Sequence, residues 1–222
     1  MRSLVVALVF VVASASLSLG GGTELVQQGQ AAEKAGDHDG ALRAYTEAVK
    51  AKDLNASQLA FAYYRRASVY GYLGENVKGI ADFSKSLGLN PKFGYAYSLR
   101  GYLRGTIGQY DLAEKDQKAA LDLAVGVNSP TYKPWVLQHY ADIWRRRGQF
   151  QNALDLCAQA LQLDEYPHVY FRQAWIYLDM NRPADAKAAF KKFEAEMVRQ
   201  GVSYSGFWLD ERGALERLRK LP

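Results

Sequence analysis

From Gly22 onward, apolar residues recur at helical spacing in a series of short amphipathic runs, each closed by glycine, asparagine or proline. The clearest stretch is Ala60 to Pro91. There Tyr63, Arg66, Ala67 and Tyr70 occupy the i, i+3, i+4 and i+7 positions of one face and predict a helix over 60–73. Gly74 supplies the left-handed residue that lets the chain reverse, and Asn76 adds turn chemistry. A second helix from near Val77 presents Ile80, Phe83 and Leu87 on one side until Pro91, which can neither donate to a helix nor continue it. Neither helix can hide its stripe alone, so the pair must stack on similar pairs.

Four further pairs are legible through their mid-hairpin turns at Gly36, Gly108, Gly148 and Asn181, asparagine being the next residue after glycine to tolerate that conformation. Hairpins are therefore expected over 22–55, 60–93, 94–127, 134–166 and 167–200. With the middle turn at Gly74, the spacings between turns are 38, 34, 40 and 33 residues, and the extra residues fall between units, near 53–57 and 126–133, where they lengthen a loop or helix end.

A helical hairpin repeated at about 34 residues resembles the tetratricopeptide repeat, whose pattern runs W-x2-L-G-x2-Y, A-x3-F, P. The second unit matches it with Tyr63, Arg66, Ala67, Tyr70, Gly79, Phe83 and Pro91. The others align through Leu25, Gly29, Ala32, Ala41, Tyr45 and Ala48; Tyr97, Gly101, Ala113 and Ala120; Leu137, Ala141, Trp144, Ala153 and Ala160; and Tyr170, Ala174, Tyr177, Ala186 and Phe190. Gln117 and Cys157 depart from it where an aromatic is expected. The resemblance implies an all-α fold, a right-handed α-solenoid of about five helix-turn-helix repeats. The tail, 201–222, leaves the pattern: Gly201 breaks the fifth unit, Ser205 is a candidate N-cap, and Phe207, Ala214, Leu218 and Leu221 form a stripe with Asp210, Glu211, Glu216 and Arg217 off it. Such a helix covers the open end of a solenoid, so a C-terminal capping helix is expected.

The first twenty residues change the picture of location. Arg2, the apolar run Leu4 to Val12 and the small residues Ala13-Ser14-Ala15 read as a secretory signal peptide, with Gly20 an alternative cut. A retained membrane anchor is the competing reading, but about 20 apolar residues are needed to span a bilayer and Ser14, Ser16 and Ser18 dilute the run. No cysteine stands near the leader for lipid attachment. A periplasmic or secreted bacterial protein is the expectation, with membrane contact only if the leader is retained.

Composition removes several function classes. The net charge of +5 is spread, with Lys and Arg alternating with Asp and Glu, which gives a mixed solvated surface and no nucleic-acid stripe. Arg145-Arg146-Arg147 is the one dense basic run; it reads either as the cationic end of a helix before Gly148 or as a contact for an acidic partner. A single cysteine, Cys157, forms no internal disulfide and sits where a small buried hydrophobe belongs. His38, His139 and His168 lie in different repeats without a metal-ligand spacing, and glycines stand singly at turns with no phosphate-binding loop. No catalytic residue, metal or cofactor is expected.

Two features remain. Arg66 and Arg100 are each followed 16 residues later by an acid, Asp82 and Asp116, and the other repeats lack both partners; this predicts an ion pair within each of the two repeats. The resemblance further implies that the concave wall is lined by the second, fifth, ninth and twelfth residues of each first helix. In this chain that stripe carries Phe61, Tyr64, Tyr95, Tyr102, Trp135, Arg145, Phe171 and Trp175, beside smaller or polar residues such as Glu33, Ser68, Gln138, Asp142 and His168. Val26 and Tyr95 stand where relatives that grip acidic chaperone tails have lysines, so an acidic C-terminus is not the expected ligand. An exposed aromatic stripe suits a protein or peptide partner with apolar anchors. The expected role is an exported interaction module or scaffold. The alternative is a non-catalytic subunit of an envelope enzyme acting on glycan or peptidoglycan, with the aromatics stacking on sugar. Partner identity and oligomeric state stay open.

Overall fold

The computed structural model describes residues 21–124, 129–201 and 209–221. Among these residues the chain is helical without strands, in the order α1 (Gly22–Lys34), α2 (His38–Ala48), α3 (Ala56–Tyr72), α4 (Asn76–Leu89), α5 (Gly94–Thr106), α6 (Tyr110–Leu123), α7 (Tyr132–Arg146), α8 (Phe150–Leu163), α9 (Pro167–Asp179), α10 (Pro183–Gln200) and α11 (Leu209–Arg219). The leader, Ser205 and Phe207 lie outside the described residues, as does part of the insertion before α7.

The hairpins close as their turn residues demand. Gly36, Gly74, Gly108 and Gly148 take φ of 75°, 81°, 81° and 77°, and Asn181 takes 55°. In each turn the amide two residues past the helix cap donates back into the last turn: Asp37 to Ala32 O, Glu75 to Tyr70 O, Gln109 to Arg104 O, Gln149 to Trp144 O and Arg182 to Tyr177 O, all at 2.8–2.9 Å. These bonds satisfy carbonyls that a helix end otherwise leaves bare.

Each hairpin packs its own two helices, each second helix packs on the next first helix, and first helices touch from α5 to α7 to α9. The two helix sets differ in burial. On α7 most residues are buried, whereas α8 buries only Ala153, Cys157 and Ala160. First helices thus form the inner layer and second helices the outer one. Contacts are tight where the repeat pattern has small residues: a Cβ on Gly29 would lie 2.5 Å from the Tyr45 ring.

The departures from the repeat pattern are accommodated locally. The extra residues near 53–57 lengthen α3 at its start, where Asn55 and Gln58 cap each other's amides at 3.0 and 2.9 Å. Gln117 is buried and satisfied, its Nε2 donating to Ser98 O and its Oε1 accepting from Ser98 Oγ, both at 2.9 Å. Cys157 is free and buried, and burial pushes its thiol up to about 12. The last helix covers the end of the solenoid: Ala214, Leu215 and Leu218 pack with Phe171, Trp175, Phe190, Phe193 and Met197, while Glu216 and Arg217 face solvent. Glu211 corrects the sequence reading, since it is buried instead of lying on the polar side. No described helix is long and apolar enough to cross a membrane.

Candidate functional site

The residues expected to line an open aromatic wall divide into two groups. Phe61, Tyr64, Tyr95 and Trp135 are partly accessible. Phe61 faces a shallow depression of about 360 Å³ shared with Val26, Leu54 and Gln58 at the start of the solenoid. Tyr64 packs against Phe61, Phe83 and Phe93, and burial raises its phenol to about 12. Tyr95 meets Tyr132 and Trp135 at centroid distances of 4.7 and 5.1 Å. Tyr102, Arg145, Phe171 and Trp175 are not a surface: they are 1%, 8%, 1% and 7% exposed. The continuous exposed stripe is therefore corrected for these four. The physical reason is the chain's own last helix, which packs on Phe171 and Trp175, together with the guanidinium groups stacked on the rings.

Those guanidiniums belong to a buried ionic cluster. Arg172 on α9 is fully buried; its Nη1 donates to Asp142 Oδ1 at 2.8 Å and its Nη2 to Glu211 Oε1 at 2.6 Å and Gln138 Oε1 at 3.2 Å. Arg145 Nε donates to Asp142 at 2.9 Å and Nη1 to Asp179, and its guanidinium lies 3.8 Å from the Trp175 ring centroid. Arg146 Nε donates to the other Asp142 oxygen at 2.5 Å. Burial alone would push the Asp142 carboxyl up, but the charges of Arg146, Arg172 and Arg145 hold it well below the usual carboxylate range. Arg147 pairs with Asp111. All three arginines of the basic run are thus engaged within the chain, at and just past the end of α7. The ion pairs within repeats are present too: Arg66 bonds Asp82 at 2.5 and 3.0 Å, and Arg100 bonds Asp116 at 3.0 and 2.7 Å.

Between the first helices lies a chamber of about 370 Å³. Every first helix contributes: Glu33 from α1, Ser68, Val69 and Tyr72 from α3, Leu99 from α5, Trp135, Gln138 and His139 from α7, and His168 from α9. His38 at the start of α2, Tyr166 before α9 and Glu211 of α11 complete it. Glu33, Ser68, Trp135, Gln138 and His168 are on the expected concave stripe. The meeting of all three histidines of the chain is new. Their sequence offsets hide it, because stacking of the hairpins that carry α2, α7 and α9, not spacing along one helix, places them on one cavity. His139 is held in a polar chain, its Nδ1 lying 3.3 Å from Ser98 Oγ, and its ring stands edge-on to Trp135 at 4.6 Å. Burial, aided by the charge of Arg172, lowers His139 well below the ordinary value and His168 to about 4. Both are neutral imidazoles near neutral pH. Among the described residues no group of three His, Cys, Asp or Glu is arranged to hold a metal.

Two stretches, 62–93 and 167–193, match the profile of the tetratricopeptide repeat; they are the second and fifth hairpins. These two hairpins are tetratricopeptide repeats. Similar solenoids agree with this at the level of fold. TTC0263, a thermophilic tetratricopeptide repeat protein of Thermus thermophilus, is 18% identical over 88% of this chain and 100% of its own, with a TM-score of 0.67. A chain of the APC/C hetero-tetramer Cut9–Hcn1 is 18% identical over 89% of this chain, with a TM-score of 0.64; this chain spans only 36% of that one's length. The TPR2B domain of yeast Sti1, in a complex described as containing pHsp70, is 25% identical over 57% of this chain and 98% of its own, with a TM-score of 0.52. No curated protein matches the chain by sequence. The chamber therefore lies on the inner face of a tetratricopeptide solenoid.

Proposed function

We propose that this protein is an exported, non-catalytic interaction module that receives a segment of a partner polypeptide in the concave chamber and in the depression beside Phe61. The observation that carries the reading is the chamber itself, to which the first helix of all five repeats contributes. A site of that construction reads the stacking of the whole solenoid, and its mixture of rigid rings and polar groups suits a peptide side chain better than a flat surface does. The likeness to the Sti1 domain, solved in a complex with pHsp70, supports a peptide partner for a fold of this kind. Export rests on the leader pattern of Arg2, Leu4 to Val12 and Ala13-Ser14-Ala15.

One experiment tests both parts. A photo-crosslinking amino acid is placed at Ser68, on the chamber wall, or at Val198, which is 83% exposed on the outer layer, and adducts are isolated from the secreted or periplasmic fraction. The expected result is a discrete polypeptide adduct from position 68 and none from 198, on a mature chain that begins after Ala15 or Gly20. An adduct from 198 alone contradicts the chamber. Retention of the first residues on the recovered chain contradicts cleavage.

A further inference from the structure

The two ends of the chamber are built from different groups. At the end built by α7, α9 and α11, Arg172 is matched by Asp142 and Glu211. The other end is built where α1 and α3 finish, and helix C-termini favour a cation. Glu33 lies there, in the last turn of α1. Its Oε2 accepts from Arg65 and the Tyr45 hydroxyl also acts on the carboxylate, whereas its Oε1 is buried with no donor in hydrogen-bond geometry. A buried acceptor left bare is costly, and a donor entering the site removes that cost. Beside it stand His38 and the Tyr72 ring, whose centroids are 4.0 Å apart.

This end already attracts a guanidinium. Arg212 of α11 reaches across from the C-terminal cap to lie 4.2 Å from the centroid of the Tyr72 ring in the second repeat. The contact is separate from the packing that holds α11, which runs through Ala214, Leu215 and Leu218 onto α9 and α10. Aromatic faces attract guanidinium and ammonium groups through the ring quadrupole, which a neutral isostere does not exploit.

We infer that the Glu33–His38–Tyr72 end of the chamber is a recognition site for a basic side chain of the partner segment, and that Arg212 is an intramolecular occupant which that side chain displaces. The inference rests on the reading of the chamber as the partner site. The partner segment is then a basic one, the opposite of the acidic tails that the lysine clamp of relatives takes.

The test uses the full chain and small probes, N-acetyl-arginine amide and its neutral isostere N-acetyl-citrulline amide, followed by the NMR signals of the His38 ring. Arg212→Ala is expected to bind the arginine probe at least tenfold more tightly than wild type, with a shift of the His38 signals, and neither protein is expected to bind the citrulline probe. Adding Glu33→Gln to Arg212→Ala should abolish the gain. Arg212→Gln, which keeps most of the aliphatic stem, serves as a second variant should the alanine variant lose its cooperative melt. Equal binding of arginine by wild type and variant, absence of binding by both, or equal binding of arginine and citrulline overturns the assignment. These outcomes leave the crosslink from position 68 untouched, so a wrong charge assignment is distinguishable from a wrong site.

Discussion

At the scale of single residues, burial decides which charges matter. Arg66 and Asp82 have side chains only 12% and 4% exposed, so removing the acid strands a cation, whereas removing the arginine as leucine puts apolar volume in its place. Asp82→Ala should therefore cost about 1 to 3 kcal/mol, more than Arg66→Leu. Equal thermal midpoints for the two variants would show that the pair holds nothing. The histidines give a second expectation with a definite sign. His168 is held to about 4 in the folded chain against 6.5 for an exposed ring, so between those values the unfolded state binds more protons. The His168 contribution to stability should be constant above about pH 6.5 and be lost between about 6.5 and 4, on the order of 2 kcal/mol after allowance for its partial exposure, against the opposite trend of Glu33, whose carboxyl burial raises. His139, facing Ser98, Arg172, Asp142 and His168, acts in the same direction. Thermal melts of wild type and His168→Gln across this range check it; a variant with the same pH slope would contradict the assignment. The Arg66 and Arg100 pairs were legible because each is an intrarepeat offset that recurs. The Arg172 cluster was not, since its partners Gln138, Asp142 and Glu211 come from other hairpins and none recurs.

At the scale of elements, α11 does two things that the stripe of Ala214, Leu218 and Leu221 shows only in part. It covers the apolar end of α9 and α10, as a cap should. It also turns Glu211 and Arg212 toward the inner layer, where Glu211 bonds Arg172 and Arg212 lies over Tyr72. A chain truncated before Leu209 should expose Phe171 and Trp175 and leave Arg172 short of an anionic partner, so it is expected to aggregate or to lose its cooperative melt. A truncated chain that stays monomeric and melts cooperatively would contradict the capping role. The hairpins themselves were readable because each depends on one local requirement, a left-handed residue at the turn, which glycine or asparagine announces. The accessibility of the inner stripe was not readable in the same way. Helical periodicity places Tyr102, Phe171 and Trp175 on one face of their helices but does not say what packs over that face.

At the scale of the whole molecule, five hairpins stack so that residues far apart in sequence, from Glu33 to Glu211, surround one chamber. The convergence of His38, His139 and His168 is a property of that stacking and of nothing shorter. The central claim is that the partner enters there. The most direct measurement is the affinity of the partner segment recovered by crosslinking for wild type, for Ser68→Trp, which fills the chamber from its wall, and for Val198→Ser on the outer layer. Ser68 Oγ donates to the carbonyl of Tyr64 on its own helix, so the substitution breaks no hydrogen bond between repeats. The account expects Ser68→Trp to weaken binding at least tenfold, about 1.4 kcal/mol, with a cooperative melt retained and Val198→Ser indistinguishable from wild type. A Ser68→Trp protein that melts cooperatively and binds as tightly as wild type would show that the partner does not use the chamber.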